Sequence, residues 1–144
     1  VADRGVLHVS VINVDSHKLI AALSEELKKE SEIKPPEWIS YVKSGSHNER
    51  PIEEKDFWYK RCASLMFNSY KRGNVGVRRL RRKYGGRVQH VVHRSHHRPA
   101  GGKIIRLALQ QLEKAGLFEK QKTGRIITSK GRKLMDEISK KVEG

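Results

Sequence analysis

With 31 Lys and Arg against 16 Asp and Glu among 144 residues, the chain carries a formal charge of +15, and a dense polyanion is its expected partner. The length suits one domain with one core, and no run approaches the roughly 18 consecutive apolar residues of a membrane span, so a membrane is the weaker partner. The single cysteine, Cys62, excludes an internal disulfide or a cysteine-based zinc site within one chain and fits a reducing compartment.

Residues 1–14 lack helical spacing and read as an N-terminal arm or short strand around the apolar-rich run Val9 to Val14. Asp15 then suits an N-cap, because its carboxylate can accept from the free backbone N–H groups of a first turn, and Leu19, Ile20, Leu23 and Leu27 follow at helical spacing. Pro36 fits a first helical position, and Trp38, Ile39 and Val42 predict a short second helix that closes near Gly45, ahead of a polar loop over 44–55. Asp56 is a second N-cap candidate, followed by Phe57, Trp58, Tyr59, Cys62, Ala63, Leu65, Met66 and Tyr70 before Gly73. Apolar positions on more than one face predict a central helix buried over most of its circumference, with Lys60, Arg61, Lys71 and Arg72 at its edge.

Next comes a short helix to Tyr84, in which Val77, Leu80 and Tyr84 pack while Arg78, Arg79, Arg81, Arg82 and Lys83 point outward; Gly85 and Gly86 stop it. Residues 87–99 are basic, rich in histidine and poor in apolar residues, and an extended loop that orders on its partner is expected. A helix from about Gly101 carries Ile104, Ile105, Ala108, Leu109 and Leu112 and stops at Gly116. The stretches Leu117 to Lys120 and Arg125 to Thr128, around the turn Gln121 to Gly124, predict a β-hairpin. Ser129 or Thr128 then caps a last helix holding Leu134, Met135, Ile138 and Val142. This order predicts a mainly α, winged-helix-like domain over 15–144, with the hairpin as its wing and a basic insertion at about 71–100.

The charge is unevenly spread: residues 1–56 net −3, residues 57–112 net +14 without a single Asp or Glu, and residues 113–144 net +4. A folded surface built from the middle third would attract phosphates at long range. Within it, Arg72-Gly73-Asn74-Val75-Gly76 could let backbone N–H groups approach a phosphate, since glycine has no Cβ to block it; a helix C-cap and ordinary turn is the competing reading. No Gly-Lys-Ser/Thr follows, so it is not a nucleotide P-loop. Arg78 to Lys83 crowd five cations onto two turns and are expected to meet phosphates. Tyr84-Gly85-Gly86-Arg87 makes a sharp exit that presents Arg87 for a bidentate phosphate or stacked-base contact.

His90, His93, His96 and His97 have spacings that could serve zinc, but ten Lys and Arg between Lys71 and Arg98 oppose a dication and no nearby carboxylate could orient the rings. No metal and no cofactor are expected, and RNA contact by His90 and its neighbours is favoured. The aromatic trio Phe57-Trp58-Tyr59 is read as core, because consecutive helical residues point about 100° apart and cannot share one stacking surface. The helix after Gly101 stands where a DNA-binding winged helix places its recognition helix, yet offers only Lys103, Arg106, Gln110 and Gln111 for base reading. An enzyme is disfavoured, since the basic block holds no carboxylate to act as acid, base or metal ligand.

In order along the chain, Val14-Asp15-Ser16-His17-Lys18-Leu19-Ile20, Pro36-Glu37-Trp38, Phe57-Trp58-Tyr59 with Arg61, Tyr70-Lys71-Arg72-Gly73, Lys83-Tyr84-Gly85-Gly86-Arg87, Arg106 to Glu113 and Leu117 to Gly131 resemble the eukaryotic and archaeal family of protein nineteen of the small ribosomal subunit. The resemblance implies a winged-helix-like fold, a place in the head of that subunit on its rRNA beside neighbouring ribosomal proteins, and a need for the protein in pre-subunit maturation. It also implies a cytoplasmic, ribosome-bound protein with a nucleolar or nuclear stage in a eukaryote, and no obligate homo-oligomer. Family RNA-facing positions match at Arg61, Arg72, Gly85, Gly86, Arg87, Arg98 and Arg106. Together with Lys71, Arg78, Arg79, Arg81, Arg82, Lys83, His90, Arg94 and Lys103 they form the candidate RNA-binding set. Two departures stand out: Phe57 where similar proteins tend to have tryptophan, and Phe67 where they often carry a basic residue.

Overall fold

A computed structural model describes residues 14–41, 56–88, 96–98 and 102–143. Helix α1 (Ser16–Leu27) starts as its cap predicts, with Asp15 Oδ1 accepting the N–H of His17 at 3.0 Å. Its stripe of Leu19, Leu23 and Leu27 is buried against α2 (Phe57–Arg72). Between them Pro36 leads into a short 3₁₀ helix, Glu37–Tyr41, and its carbonyl accepts from Ile39. The predicted Val42, Gly45 and 44–55 loop, like the arm 1–13, lie outside the described residues.

No residue from Phe57 to Tyr70 is exposed, in keeping with a central helix apolar on several faces. Asp56 stands at its N-cap position without making the side-chain cap bond expected of it. Its carboxylate instead meets Lys28 Nζ at 2.9 Å, a charge-assisted contact that ties the end of α1 to the start of α2. Gly73, at φ +88°, ends α2 and donates to the carbonyl of Ser69.

Val75 then pairs antiparallel with Arg125, exchanging hydrogen bonds of 2.8 and 2.9 Å, before α3 (Val77–Lys83) begins. The segment expected as one extended loop holds two strands, β1 (Gly86–Val88) and β2 (His96–Arg98), paired antiparallel with Gly86 opposite Arg98 and Val88 opposite His96. A stretch too polar to form a core thereby satisfies part of its backbone by pairing with itself. Helix α4 (Gly102–Lys114) follows, then the wing: β3 (Phe118–Lys120) against β4 (Arg125–Ile127). Thr128 caps α5 (Ser129–Glu143), accepting from the N–H of Gly131 and donating to the carbonyl of Gly116 at 2.7 Å.

Read from α2, the order is helix, bridge residue, helix, helix, strand, strand, which is winged-helix-like and mainly helical, with β1 and β2 inserted between α3 and α4. Helices α1 and α5 cover α2 from outside that unit. The core gathers Leu65, Met66, Ile105, Leu109, Leu112, Leu117, Phe118, Met135 and Ile138 around Trp58. Buried polar groups inside it are satisfied: Ser69 Oγ donates to the carbonyl of Gly73 and accepts the N–H of Ile127 at 2.9 Å, joining α2 to the wing. Cys62 is fully buried, and burial pushes its thiol well above the usual range. Iodoacetamide is therefore expected to leave Cys62 unmodified in the native protein and to alkylate it only as urea unfolds the chain, followed by mass spectrometry. Fast native labelling would contradict the packing.

Candidate nucleic-acid interface

Helix α3 is short and packs through Leu80, which is buried, and through the partly buried Val77 and Tyr84 at its two ends, which leaves Arg78, Arg79, Arg81, Arg82 and Lys83 all exposed. The side chain of Arg81 lies along Gly102: a Cβ there would sit 3.2 Å from Arg81 Cδ. This close approach seats α3 on the start of α4, beside Lys103 and Arg106, both exposed. Lys103 holds its ammonium 4.5 Å from the centre of the Trp38 ring, and Lys71, also exposed, rests 5.5 Å from that of Phe67. Phe67 thus holds a basic residue on its face.

Arg61 differs from the edge residue that its charge predicts. It is mostly buried, with its guanidinium 3.9 Å from the ring centre of Tyr84 and 5.0 Å from that of Phe57, and desolvation lowers its pKa. Tyr84 in turn lies 2.6 Å from Ser64 Oγ and accepts from Asn68 Nδ2 at 2.9 Å, while burial raises its phenol above the ordinary value. Arg61 is therefore packed under the exit of α3, where Gly85 donates back to the carbonyl of Arg82. Gly86, Arg87 and Arg98 lie in the β1–β2 pair, whereas His90 and Arg94 lie outside the described residues.

The turn Arg72 to Gly76 is not a free row of amides, since the N–H groups of Gly73 and Val75 are both spent on internal carbonyls. Arg72, Arg79 and Lys83 nonetheless come together around one recess, lined also by Asn68, Asn74, Val75 and Leu80. Asn68 is not among the sequence candidates, and Asn74 enters them only as part of the Arg72 to Gly76 backbone turn; an asparagine in an otherwise apolar stretch of helix is the signal that could have flagged Asn68. Gln111, expected as an exposed reading residue of α4, is structural. Its Oε1 accepts from Trp58 Nε1 at 2.8 Å and from the N–H of Lys34, and its Nε2 donates to the carbonyl of Lys34. The helix in the recognition position is thus left with Lys103, Arg106 and Gln110 as its exposed polar residues near the basic surface.

Among the described residues no His, Cys, Asp and Glu side chains cluster in a way that could hold a metal, and no helix is long and apolar enough to cross a membrane. The surface offers cations at high density instead. Over residues 10–144 the chain matches the family described as Ribosomal protein S19e. It is 39% identical over 132 residues to the small ribosomal subunit protein eS19A of Schizosaccharomyces pombe, covering 91% of this chain and 92% of that one. It is 39% identical over 137 residues to the eS19 of Aeropyrum pernix, covering 93% and 90%. With the eS19 of Haloarcula marismortui the identity is 41% over 135 residues, covering 90% and 88%. From this near full-length match to eukaryotic and archaeal relatives alike, the chain belongs to the Ribosomal protein S19e family.

Proposed function

We propose that the chain is a structural component of the small ribosomal subunit, in its head, that binds small-subunit rRNA through the basic surface of residues 57–106 and is needed for maturation of the pre-subunit. The observation that carries this reading is the net +14 of residues 57–112, with no carboxylate among them and five exposed cations on α3 alone. Phosphate neutralisation on such a surface positions RNA without reading its sequence, and it needs no catalysis. Neighbouring ribosomal proteins of the head are the proposed protein partners. The protein would act in the cytoplasm on the ribosome, with a nucleolar stage of assembly in a eukaryotic cell.

Cosedimentation with small subunits through a salt-washed gradient tests the assignment. Retention in the small-subunit peak is expected; a chain that stays at the top while protecting a defined duplex DNA site would make it a winged-helix regulator instead. Replacing Arg81, Arg82 and Lys83 together by alanine should weaken RNA binding and flatten the slope of log K against log salt by roughly 2 to 3 units, at about 0.7 to 0.9 for each lost phosphate contact. A slope equal to that of the parent protein would place the contacts elsewhere.

A further inference from the structure

Arg72 closes the last turn of α2, and Arg79 and Lys83 stand one turn apart on α3, so the bend through Gly73 and Val75 folds three cations from two helices around a single recess. A solvated basic face has no need of this, because like charges held together repel and would splay into water. Arg125 shows the alternative on the same molecule, since its guanidinium is neutralised by Glu113 at 2.8 Å. Among the described residues no carboxylate pairs with Arg72, Arg79 or Lys83.

The walls of the recess are set before any ligand arrives. Val75 is bridged to Arg125 through both its N–H and its carbonyl, Asn74 Nδ2 donates to the carbonyl of Thr123, and Leu80 and Asn68 are each 3% exposed. Asn68 Nδ2 is held by the carbonyl of Ser64 and by Tyr84 Oη. With the walls fixed, binding has to order only the three cationic side chains. Its volume is about 70 Å³. A cavity of about 150 Å³ admits benzene, so a recess of this size matches a phosphate group better than a nucleobase. With the backbone N–H groups of Gly73 and Val75 already spent, an anion there would be held by side chains.

We infer that this recess is a discrete phosphate site, in which one phosphodiester of an RNA backbone is held by Arg72, Arg79 and Lys83. The assignment rests on the RNA-binding reading above and goes further, because it separates a built site from the diffuse attraction of the whole basic surface. Arg78 and Arg82 provide the matched comparison: they are exposed cations of the same helix with the same four-residue spacing, and they do not line the recess.

The experiment measures binding of the full chain to a transcript of the small-subunit rRNA head domain at one fixed salt concentration, for the Arg79→Ala/Lys83→Ala and Arg78→Ala/Arg82→Ala pairs. Both pairs remove two charges from α3. Both losses are expected to weaken binding, since all four residues belong to the basic surface, and loss of the recess pair is expected to cost about tenfold or more beyond loss of the other pair, as when a charge-assisted contact is lost. Equal losses, or a greater loss for Arg78 and Arg82, would overturn the site and leave the RNA reading standing. No loss in either pair would overturn the site and place the RNA contacts elsewhere on the basic surface, whereas a parent protein that fails to bind the transcript would overturn the RNA reading itself.

Discussion

Gly124→Ala is expected to lower the stability of the fold by about 3 to 4 kcal/mol, against about 1 kcal/mol for Gly73→Ala. Both glycines have positive φ, +82° and +88°, so an added methyl is strained at either position. Their surroundings differ. A Cβ on Gly73 would have nothing within 4 Å, whereas a Cβ on Gly124 would fall 2.4 Å from the carbonyl oxygen of Val75 and 3.0 Å from its carbon. Those are backbone atoms, and they belong to the bridge in which Val75 and Arg125 exchange both hydrogen bonds. The chains must part, and two bonds worth about 1 kcal/mol each are weakened along with the glycine's own conformational term. Because Val75 lines the recess and Asn74 is tied to Thr123, RNA affinity is expected to fall further in Gly124→Ala than in Gly73→Ala. Urea midpoints measure the stability difference; equal midpoints for the two variants would show that the wing gives way without cost.

What could be read from sequence follows the range of the interaction involved. Helix α1, α2, α4 and α5 announce themselves through i, i+3, i+4 spacing and caps, and the wing through two short apolar stretches around a Gly-ended turn, all of them local signals. The basic surface was legible too, since charge counts need no coordinates. Contacts between distant residues were not. Asp15 and Asp56 look alike as N-caps, yet the second carboxylate pairs with Lys28 and makes no cap bond. Arg61 reads as an edge cation until Tyr84 and Phe57 close over it. Val75 is a single extended residue between glycines, with no alternation to mark it as a bridge to the wing. The recess had the same obstacle: Arg72 and Arg79 were both candidates, but their convergence depends on the bend that the bridge imposes between α2 and α3. The β1–β2 pair was missed because a polar, histidine-rich stretch lacks the apolar alternation by which strands are recognised.

Trp58 and Gln111 give the other large expected effect, and the pattern across variants distinguishes packing from hydrogen bonding. Trp58 is 1% exposed and part of the core, so Trp58→Ala should cost about 3 to 5 kcal/mol, from lost burial and the cavity left behind. Trp58→Phe keeps an aromatic ring in place and removes one donor, while Gln111 retains both of its bonds to Lys34; a loss of about 1 to 2 kcal/mol is expected. Gln111→Leu leaves the indole N–H of Trp58 without its acceptor and also releases the backbone of Lys34, which is the link from the segment after α1 to α4. Since Lys34 is exposed, water can replace its bonds, so the cost is set mainly by the buried indole N–H and should be about 1 to 3 kcal/mol. Combined, Trp58→Phe and Gln111→Leu should cost less than the sum of the two, because the shared bond is lost only once. Strict additivity in urea denaturation would mean that the 2.8 Å contact between Trp58 and Gln111 contributes nothing, and that the glutamine's place on α4 is set by Lys34 alone.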